Sequence, residues 1–512
     1  MPKLTIDGKE VTVPKGTNLI EAGKLTGAKI PHYCYHRKLS IAGNCRICLV
    51  DIEKNPKLQI ACNTKAAEGM VVHTNTPKVI EGRQCVMEFI LVNHPIDCPV
   101  CDQAGECKLQ EYYMKHDLKP SRMEEEKVHK EKATPLGPNV MLDMERCILC
   151  SRCIRFCNEI AKEDELCFTQ RGDHTELTTY PGKELSNPYS VNTVDICPVG
   201  ALTSRDFRFK QRVWFLKETE SICPGCSTGC NIKVNHNQGV IYRLLPRNNE
   251  QVNECWMCDE GRMTYKPVNQ ENRLRHPRVK MDGQWQNLRK ETAISKLQKI
   301  LEEVNPSTIL GIGSAQFTNE DNFSLQGFLK ALGAYDIAYQ AKEAPNPSHD
   351  DFLISADKNP NRAGVTTLGM KPISTFAKGQ GYQVFFVLGE IEKGVLDKLA
   401  SRKDYKMILF ASHENTSSTA DLILPVPLWA EEEGTFTNKQ NRVQRIHEAF
   451  PPPGESLPVW QWVSFIAKAL DKEKPQYTHI NQVFADLSET VSPFKGMNYD
   501  KIGKEGLLLA SS

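Results

Sequence analysis

Beyond Cys258 this 512-residue chain has no cysteine, all 19 lying at or before it. Thiol-ligated metal is thereby excluded from the C-terminal region that follows. Excess charge of either sign is missing too. With 64 basic and 63 acidic residues the formal net charge is +1, which argues against a nucleic-acid partner, since that requires a basic face. Long apolar runs are absent near every motif. FILV at residues 89–92 is far short of the roughly 20 residues of a membrane span, so membrane association is expected only through partners. A signal or transit peptide is not recognisable either. The opening MPKLTIDGKEVTV alternates apolar and polar residues and turns at Asp7-Gly8, which reads as a β-hairpin. A reducing compartment is expected, and there dense cysteine means metal, not disulfide.

The cysteines form tight groups. Cys34, Cys45, Cys48 and Cys62 follow the hairpin and a helix expected to begin near Thr17 or Asn18, with Glu21 placed for a capping box. Hairpin, helix and the loop GNCRICLV suggest a ubiquitin-like β-grasp with a [2Fe–2S] cluster, zinc being the alternative. Gly43 and Asn44 would let the backbone wrap closely and offer N–H groups to the sulfurs. A second group reads H-x3-C-x2-C-x5-C: His94, Cys98, Cys101 and Cys107. It follows EGRQCVMEFILV, an apolar-periodic helix that Pro95 should end. On its own this group fits a Cys3His zinc site or an iron–sulfur cluster with an imidazole ligand.

A third group, MERCILCSRCIRFC, carries Cys147, Cys150 and Cys153, with Cys157 after three intervening residues. That is the bacterial-ferredoxin run, in which the fourth cysteine serves the other cluster. Downstream, Asn187, Ser190, Thr193 and Cys197 fall at the intervals of a second such run. Three of its four thiols are replaced, so a two-cluster fold has lost one cluster. Cys197 then completes a [4Fe–4S] set with Cys147, Cys150 and Cys153, and Cys157 becomes a buried free thiol. The fourth group is Cys223, Cys226, Cys230 and Cys258, separated by a hairpin pattern, NIKVNHNQGVIYRLLP. Cys255 competes for the last place, and the CDEGR continuation favours Cys258. Cys85, Cys157, Cys167 and Cys255 are left over.

With these stretches in hand, PHYCYHRKLSIAGNCRICLV, NHPIDCPVCDQAGECKLQ, MERCILCSRCIRFC, DICPVGAL and CPGCSTGC with CDEGR, the chain resembles the large iron–sulfur subunit family of the peripheral arm of respiratory complex I. The resemblance is dense to about residue 265. Beyond it, ILGIGSAQFTNEDNF, ADLILP and EEEGTFTNKQNRVQ resemble the molybdopterin-oxidoreductase-like region that the family carries in degenerate form, here shortened. The resemblance implies that His94 ligates a [4Fe–4S] cluster, giving one [2Fe–2S] and three [4Fe–4S] clusters and no molybdopterin. It implies relay of electrons between NADH and quinone without an active site on this chain. The order expected is the [2Fe–2S] set, the His94 set, then the Cys147 set, with the Cys223 set in a structural or side role. Implied partners are an NADH/FMN-binding flavoprotein, a small [2Fe–2S] subunit, a two-[4Fe–4S] ferredoxin-like subunit and quinone-site subunits. The implied location is peripheral, on the cytoplasmic side of a bacterial inner membrane.

The expected fold class is multidomain α+β and α/β. It divides into a β-grasp [2Fe–2S] domain (1–78), a His/Cys3 [4Fe–4S] domain (79–119) and a degenerate two-cluster ferredoxin-like domain (120–215). A [4Fe–4S] domain of molybdopterin-oxidoreductase type (216–275) and molybdopterin-oxidoreductase-like α/β lobes (276–512) complete it. In the last region PSTILGIGSAQF, QVFFVLGE and YKMILFAS read as parallel strands alternating with helices such as FSLQGFLKALG. Gly311-x-Gly313 is expected just after a strand. Gln316 spoils a dinucleotide fingerprint there. The Lys and Glu residues are taken as solvated faces, and EEEGTFTN as an acidic turn and strand. Rival readings are an electron-transfer subunit of an NAD-linked hydrogenase or formate dehydrogenase, an active molybdopterin oxidoreductase, and a zinc-bound structural protein.

Overall fold

The first hairpin turns where the sequence places it: Asp7 and Gly8 take φ of 47° and 78°, the pair of positive values a two-residue type I′ turn requires. The computed structural model describes residues 1–116, 120–376, 381–391, 393–400, 405–414, 419–473 and 475–510, in two units, Met1–Leu216 and Lys217–Ser512. In the first unit, Lys3–Ile6 pairs antiparallel with Lys9–Thr12 and parallel with Val71–His73. Leu49–Ile52 and Gln59–Ile60 extend the sheet on the other side. Helix Leu19–Thr26 is capped by the Asn18 side chain, which accepts from the Glu21 N–H. Only half of the expected capping box is seen. The Glu21 carboxylate instead accepts from the Tyr35 hydroxyl at 2.9 Å and pairs with Lys24 at 2.7 Å. This is the β-grasp, and its core of Leu4, Ile6, Leu19, Ile20, Val50 and Val72 includes the Cys48 and Cys62 side chains.

The helix expected to end at Pro95 runs Pro77–Leu91, so it starts earlier and stops sooner. The Thr76 side chain caps its start. At its end Lys127 Nζ donates to the carbonyls of Leu91 and Val92, at 2.8 Å each, satisfying groups the last turn leaves open. A three-stranded sheet, in the order Leu202–Ser204, Val140–Leu142, Thr134–Pro135, and short helices Arg152–Phe156 and Asn192–Ile196 then frame the ferredoxin-like segment.

The second unit begins with the antiparallel strands Lys217–Ile222, Asn231–Asn237 and Val240–Pro246. Its main sheet has eight strands. Leu422–Pro425, Lys406–Ala411, Val384–Leu388, Ile309–Ser314, Ile337–Gln340 and Lys371–Pro372 run parallel in that order, and the hairpin Arg278–Met281/Gln284–Asn287 adds antiparallel at one edge. Both faces are covered. Phe386, Ile408 and Phe410 join one apolar cluster, while Phe385, Val387, Met407 and Leu409 join another. Such strands read as continuous apolar runs. Gly311 and Gly313 lie inside the strand Ile309–Ser314 and not after it. A Cβ on Gly311 would sit 2.2 Å from Leu329 Cδ1, so this glycine serves the packing of helix Asn319–Leu332 on the sheet.

The acidic residues depart furthest from expectation. Glu320, Asp321, Glu431 and Glu432 are buried, at 0, 1, 3 and 7 % exposure. Glu431 forms a bidentate pair with Arg273, at 2.8 and 2.5 Å. Glu320 accepts from the Thr435 amide and hydroxyl and from the Tyr499 hydroxyl. Asp321 caps the entry to helix Val459–Ala469 through the Trp460 N–H. Burial, opposed by these donors, pushes Glu320 up to about 7 and Asp321 to about 6. Burial and the neighbouring carboxylates Asp321, Glu320 and Glu431 raise Glu432. These groups therefore bind more protons folded than unfolded. Their contribution is complete below the unfolded carboxyl range and is lost as pH rises towards about 7.

Two outcomes are expected. Urea unfolding between pH 6.5 and 7.5, above the range in which buried histidines such as His94 titrate, should show stability falling with pH, by up to about 1.4 kcal/mol per pH unit for each such group, and Glu320→Gln should flatten that slope. Gly311→Val should lower the thermal midpoint of the second unit, at an overpacking cost of about 1–3 kcal/mol, while leaving the first unit's transition in place.

Candidate metal centres

A buried thiolate needs compensating donors, and the four cysteine groups differ in how they find them. In the first, the loop turns at Gly43 and Arg46, with φ of 65° and 58°. Cys34, Cys45, Cys48 and Cys62 converge. The Cys34 sulfur is pulled down by hydrogen bonds from the Cys45 and Cys62 thiols, and then by the Cys45 and Asn44 amides. Cys45 and Cys62 are pushed up correspondingly, and Cys48 leans on Cys62. The Asn44 amide thus serves as the sequence suggested, and its side chain donates to the Leu149 carbonyl at 3.1 Å.

In the second group, Cys98 opens a single turn, Cys98–Val100, and Cys107 immediately precedes helix Lys108–His116. Burial raises the Cys107 thiol to about 11, against the Gln110 and Leu109 amides at the helix start. A helix N-terminus is where negative charge is favoured. Ile96, β-branched, is held at φ 51° just ahead of Cys98, and strain of that kind collects at functional loops. Burial lowers His94 to about 4, so its ring is neutral at pH 7, the form a metal requires. Its buried Nδ1 has no hydrogen-bond partner. His94 and Cys101 share Asp97 and Arg146 as charged neighbours.

In the third group, Cys147, Cys150, Cys153 and Cys197 line one small cavity with Arg152, Phe168, Leu177, Val199, Ala201 and Leu202. Burial raises all four thiols, and amides of Leu149, Arg152 and Val199 oppose it at Cys147, Cys150 and Cys197. Leu149 and Ser151 stand at φ 53° and 59°, wrapping the loop around that space. Cys157 is fully buried, and burial raises its thiol to about 12. The three substituted positions are buried too. Asn187 donates from backbone and side chain to the Glu165 carboxylate, and the Thr193 hydroxyl donates to the Ser190 carbonyl.

In the fourth group, Cys223, Cys226, Cys230 and Cys258 are all buried. The Gly225 amide donates to Cys223 Sγ at 3.5 Å and the Gly261 amide to Cys258 Sγ at 3.3 Å. After burial, the neighbours acting on the Cys230 sulfur are Cys223, Cys258 and Cys226, which sets Cys255 apart. A Cβ on Gly261 would lie 3.2 and 3.3 Å from the Cys223 and Cys258 sulfurs. Likewise a Cβ on Gly200 would lie 2.4 Å from Cys101 Sγ. Among the described residues no three His, Cys, Asp or Glu side chains are placed to hold a single metal ion. Thiol cages, amides aimed at sulfur and glycine-lined approaches fit iron–sulfur clusters.

Sequence reasoning missed the side chains that join the first three groups. The Arg155 guanidinium donates to the Cys34 and Cys150 carbonyls at 2.6 and 3.2 Å. Arg152 donates to the Tyr35 and Ile196 carbonyls. Arg146 pairs bidentately with Asp97 at 3.0 and 2.5 Å, and the Cys107 thiol faces the Pro198 carbonyl at 3.8 Å. The Cys147 loop therefore touches both other loops through single side chains. Between the Cys34 and His94 groups stands Tyr33, which is fully buried and faces Cys107 and Cys45. Arg152 and Arg155 were visible inside SRCIRFC, but the acceptors that join the groups, the Cys34, Tyr35 and Ile196 carbonyls, lie far along the chain.

The second unit has a hollow of about 480 Å³ beyond the C-terminal ends of the parallel strands, where open α/β sheets place ligands. Gln316, Lys342, Lys358, His413, Trp429 and Glu432 line it, and none of its described lining residues is cysteine.

Comparison with known proteins gives the same series. Residues 2–77 match the 2Fe-2S iron-sulfur cluster binding domain, and residues 83–122 the NADH-ubiquinone oxidoreductase-G iron-sulfur binding region. Residues 137–203 match the ferredoxin-like domain of NADH-quinone oxidoreductase subunit 3, and residues 216–266 the NDSU1/NuoG-like 4Fe-4S domain. Residues 352–469 match molybdopterin oxidoreductase. The G-type subunit of the NADH-quinone oxidoreductase of Rickettsia bellii is 41% identical over 368 residues, 72% of this chain and 53% of the relative. The NADH-ubiquinone oxidoreductase 75 kDa subunit of Reclinomonas americana is 39% identical over 375 residues, 72% of this chain and 54% of the relative. The mitochondrial NADH dehydrogenase [ubiquinone] iron-sulfur protein 1 of Solanum tuberosum is 40% identical over 336 residues, 65% and 45%. The chain spans about half the length of these curated relatives. With this domain series and these relatives, it is a homologue of the G-type and 75 kDa subunits of NADH-quinone oxidoreductase.

Proposed function

We propose that this chain is the electron-relay subunit of an NADH:quinone oxidoreductase. The ligand sets are Cys34, Cys45, Cys48 and Cys62 for a [2Fe–2S] cluster, and His94, Cys98, Cys101 and Cys107 for a [4Fe–4S] cluster. Cys147, Cys150, Cys153 and Cys197 hold a second [4Fe–4S] cluster, and Cys223, Cys226, Cys230 and Cys258 a third. The observation that carries this reading is the small cavity walled by the four thiols of the Cys147 set, tied by single side chains to both other sets of its unit. Bound clusters would supply one-electron carriage from an NADH-oxidising flavoprotein towards quinone.

The chain's own residues do the rest. Thiolates hold iron, amides of Leu149, Val199, Leu109 and Gln110 meet the negative charge on sulfur, and apolar walls exclude water. Neutral His94 gives its set one negative charge fewer than four thiolates would, which favours the reduced state. The relay order in this reading is the Cys34 set, the His94 set and the Cys147 set, and the three loops lie against one another: Arg155 and Arg146 reach from the Cys147 loop to the other two, and Tyr33 stands between the Cys34 and His94 sets. The Cys223 set takes a structural or side role.

The five-part division 1–78, 79–119, 120–215, 216–275 and 276–512 belongs to the same reading, with the last part a scaffold without molybdopterin. Partners are the flavoprotein, the small [2Fe–2S] subunit, the two-[4Fe–4S] ferredoxin-like subunit and the quinone-site subunits. Among the described residues no helix is long and apolar enough to cross a membrane, so these partners supply the attachment, on the cytoplasmic side of a bacterial inner membrane.

Anaerobically purified protein should contain about fourteen iron atoms and no stoichiometric molybdenum, with EPR signals of both cluster types on reduction. A count near ten would empty the Cys223 set, and a colourless protein would overturn the reading. His94→Ala should remove about four irons and spare the [2Fe–2S] signal.

A further inference from the structure

Arg152 is a buried cation, at 4% exposure, and among the described residues it has no ion-pair partner. One of its terminal nitrogens donates to the Tyr35 carbonyl, beside Cys34, and the other to the Ile196 carbonyl, beside Cys197, at 2.9 Å. Its Nε is buried without a partner. Two carbonyls do not neutralise a guanidinium, and an uncompensated buried charge is costly. Lys108, His32 and His36 also lie within its field and bring no negative charge. The anions it faces are sulfurs, Cys150 and Cys197 from the third set and Cys34 and Cys45 from the first.

We propose that Arg152 is the shared counter-charge of the Cys34 and Cys147 sets, one fixed cation that eases reduction of both. The proposal rests on the relay reading given above. Each electron added to a thiolate-ligated cluster adds a negative charge, and a fixed positive charge in a low-dielectric site stabilises that state. Because a single side chain serves two sets, its loss should move both potentials in the same direction. Arg155 is not equivalent: it is partly exposed and also donates to the Ser40 carbonyl.

The test is an EPR-monitored redox titration of the intact, cluster-loaded chain as wild type, Arg152→Gln and Arg152→Lys. Gln keeps amide donors without charge, and Lys keeps charge without the two-pronged bridge. Gln should make reduction of the [2Fe–2S] and Cys147 clusters at least tenfold less favourable each, about 59 mV lower for a one-electron couple. The His94 cluster should move least, and Lys should restore both potentials. Should Gln fail to hold the two clusters while Lys holds them at wild-type potentials, the charge is still the required element. Unchanged potentials in a loaded Gln variant, a shift in one cluster alone, an equal shift in all, or loss of clusters in both variants would each refute the shared role. Absence of cluster signals from the wild-type chain would instead refute the relay reading itself.

Discussion

Negative charge on buried sulfur is the constraint around which the first unit is built. Iron–sulfur ligands must be thiolates, and thiolates in an apolar surround are unfavourable unless dipoles or cations face them. The chain meets this with backbone, which is why its ligand loops take conformations that side chains avoid. Leu149, Ser151, Arg46 and Ile96 all stand at positive φ. Amide groups that would otherwise pair in regular structure are turned inward, and glycines stand where a methyl group would strike a sulfur. Regular elements serve mainly to hold these loops in register.

Cations complete the arrangement sparingly. Arg146 is matched by Asp97 and Asp143, so it ties two loops together with little net field. Arg152 has no such match. The contrast between a neutralised tie and an unneutralised one, six residues apart in sequence, separates architecture from tuning within one loop. The second unit solves the opposite problem. Its buried carboxyl groups, Glu320, Asp321 and Glu432, are pushed by burial to hold protons to higher pH than exposed carboxyls do, and Glu320 and Asp321 are offset by donors from Thr435, Tyr499 and Trp460.

Much of this was legible before the structure. The hairpin at Asp7-Gly8, the parallel strands of the C-terminal half and the buried Cys157 follow from turn chemistry, apolar runs and ferredoxin spacing. The helix Pro77–Leu91 lies earlier than the apolar period places it, with Thr76 capping its start and Lys127, 36 residues away, satisfying the Leu91 carbonyl at its end. The capping box at Glu21 failed for a like reason, since Tyr35 and Lys24 claim the carboxylate. Buried acids such as Glu320 and Glu432 look like surface residues to any composition argument. Only tertiary donors, Thr435 and Tyr499 among them, make their burial tolerable. Local chemistry was readable, while whatever depended on a partner distant in the chain was not.

The ferredoxin half that gave up its thiols carries a further consequence. Asn187, Ser190 and Thr193 did not leave a hole behind. They and the Glu165 carboxylate knit a polar plug beside Cys157. Reinstating three cysteines would remove the Asn187 side-chain donor from Glu165, leaving the backbone amides of Ser186 and Asn187 to face it, and would set that carboxylate beside four sulfurs. The way back to a second metal centre therefore runs against a residue outside the ligand run.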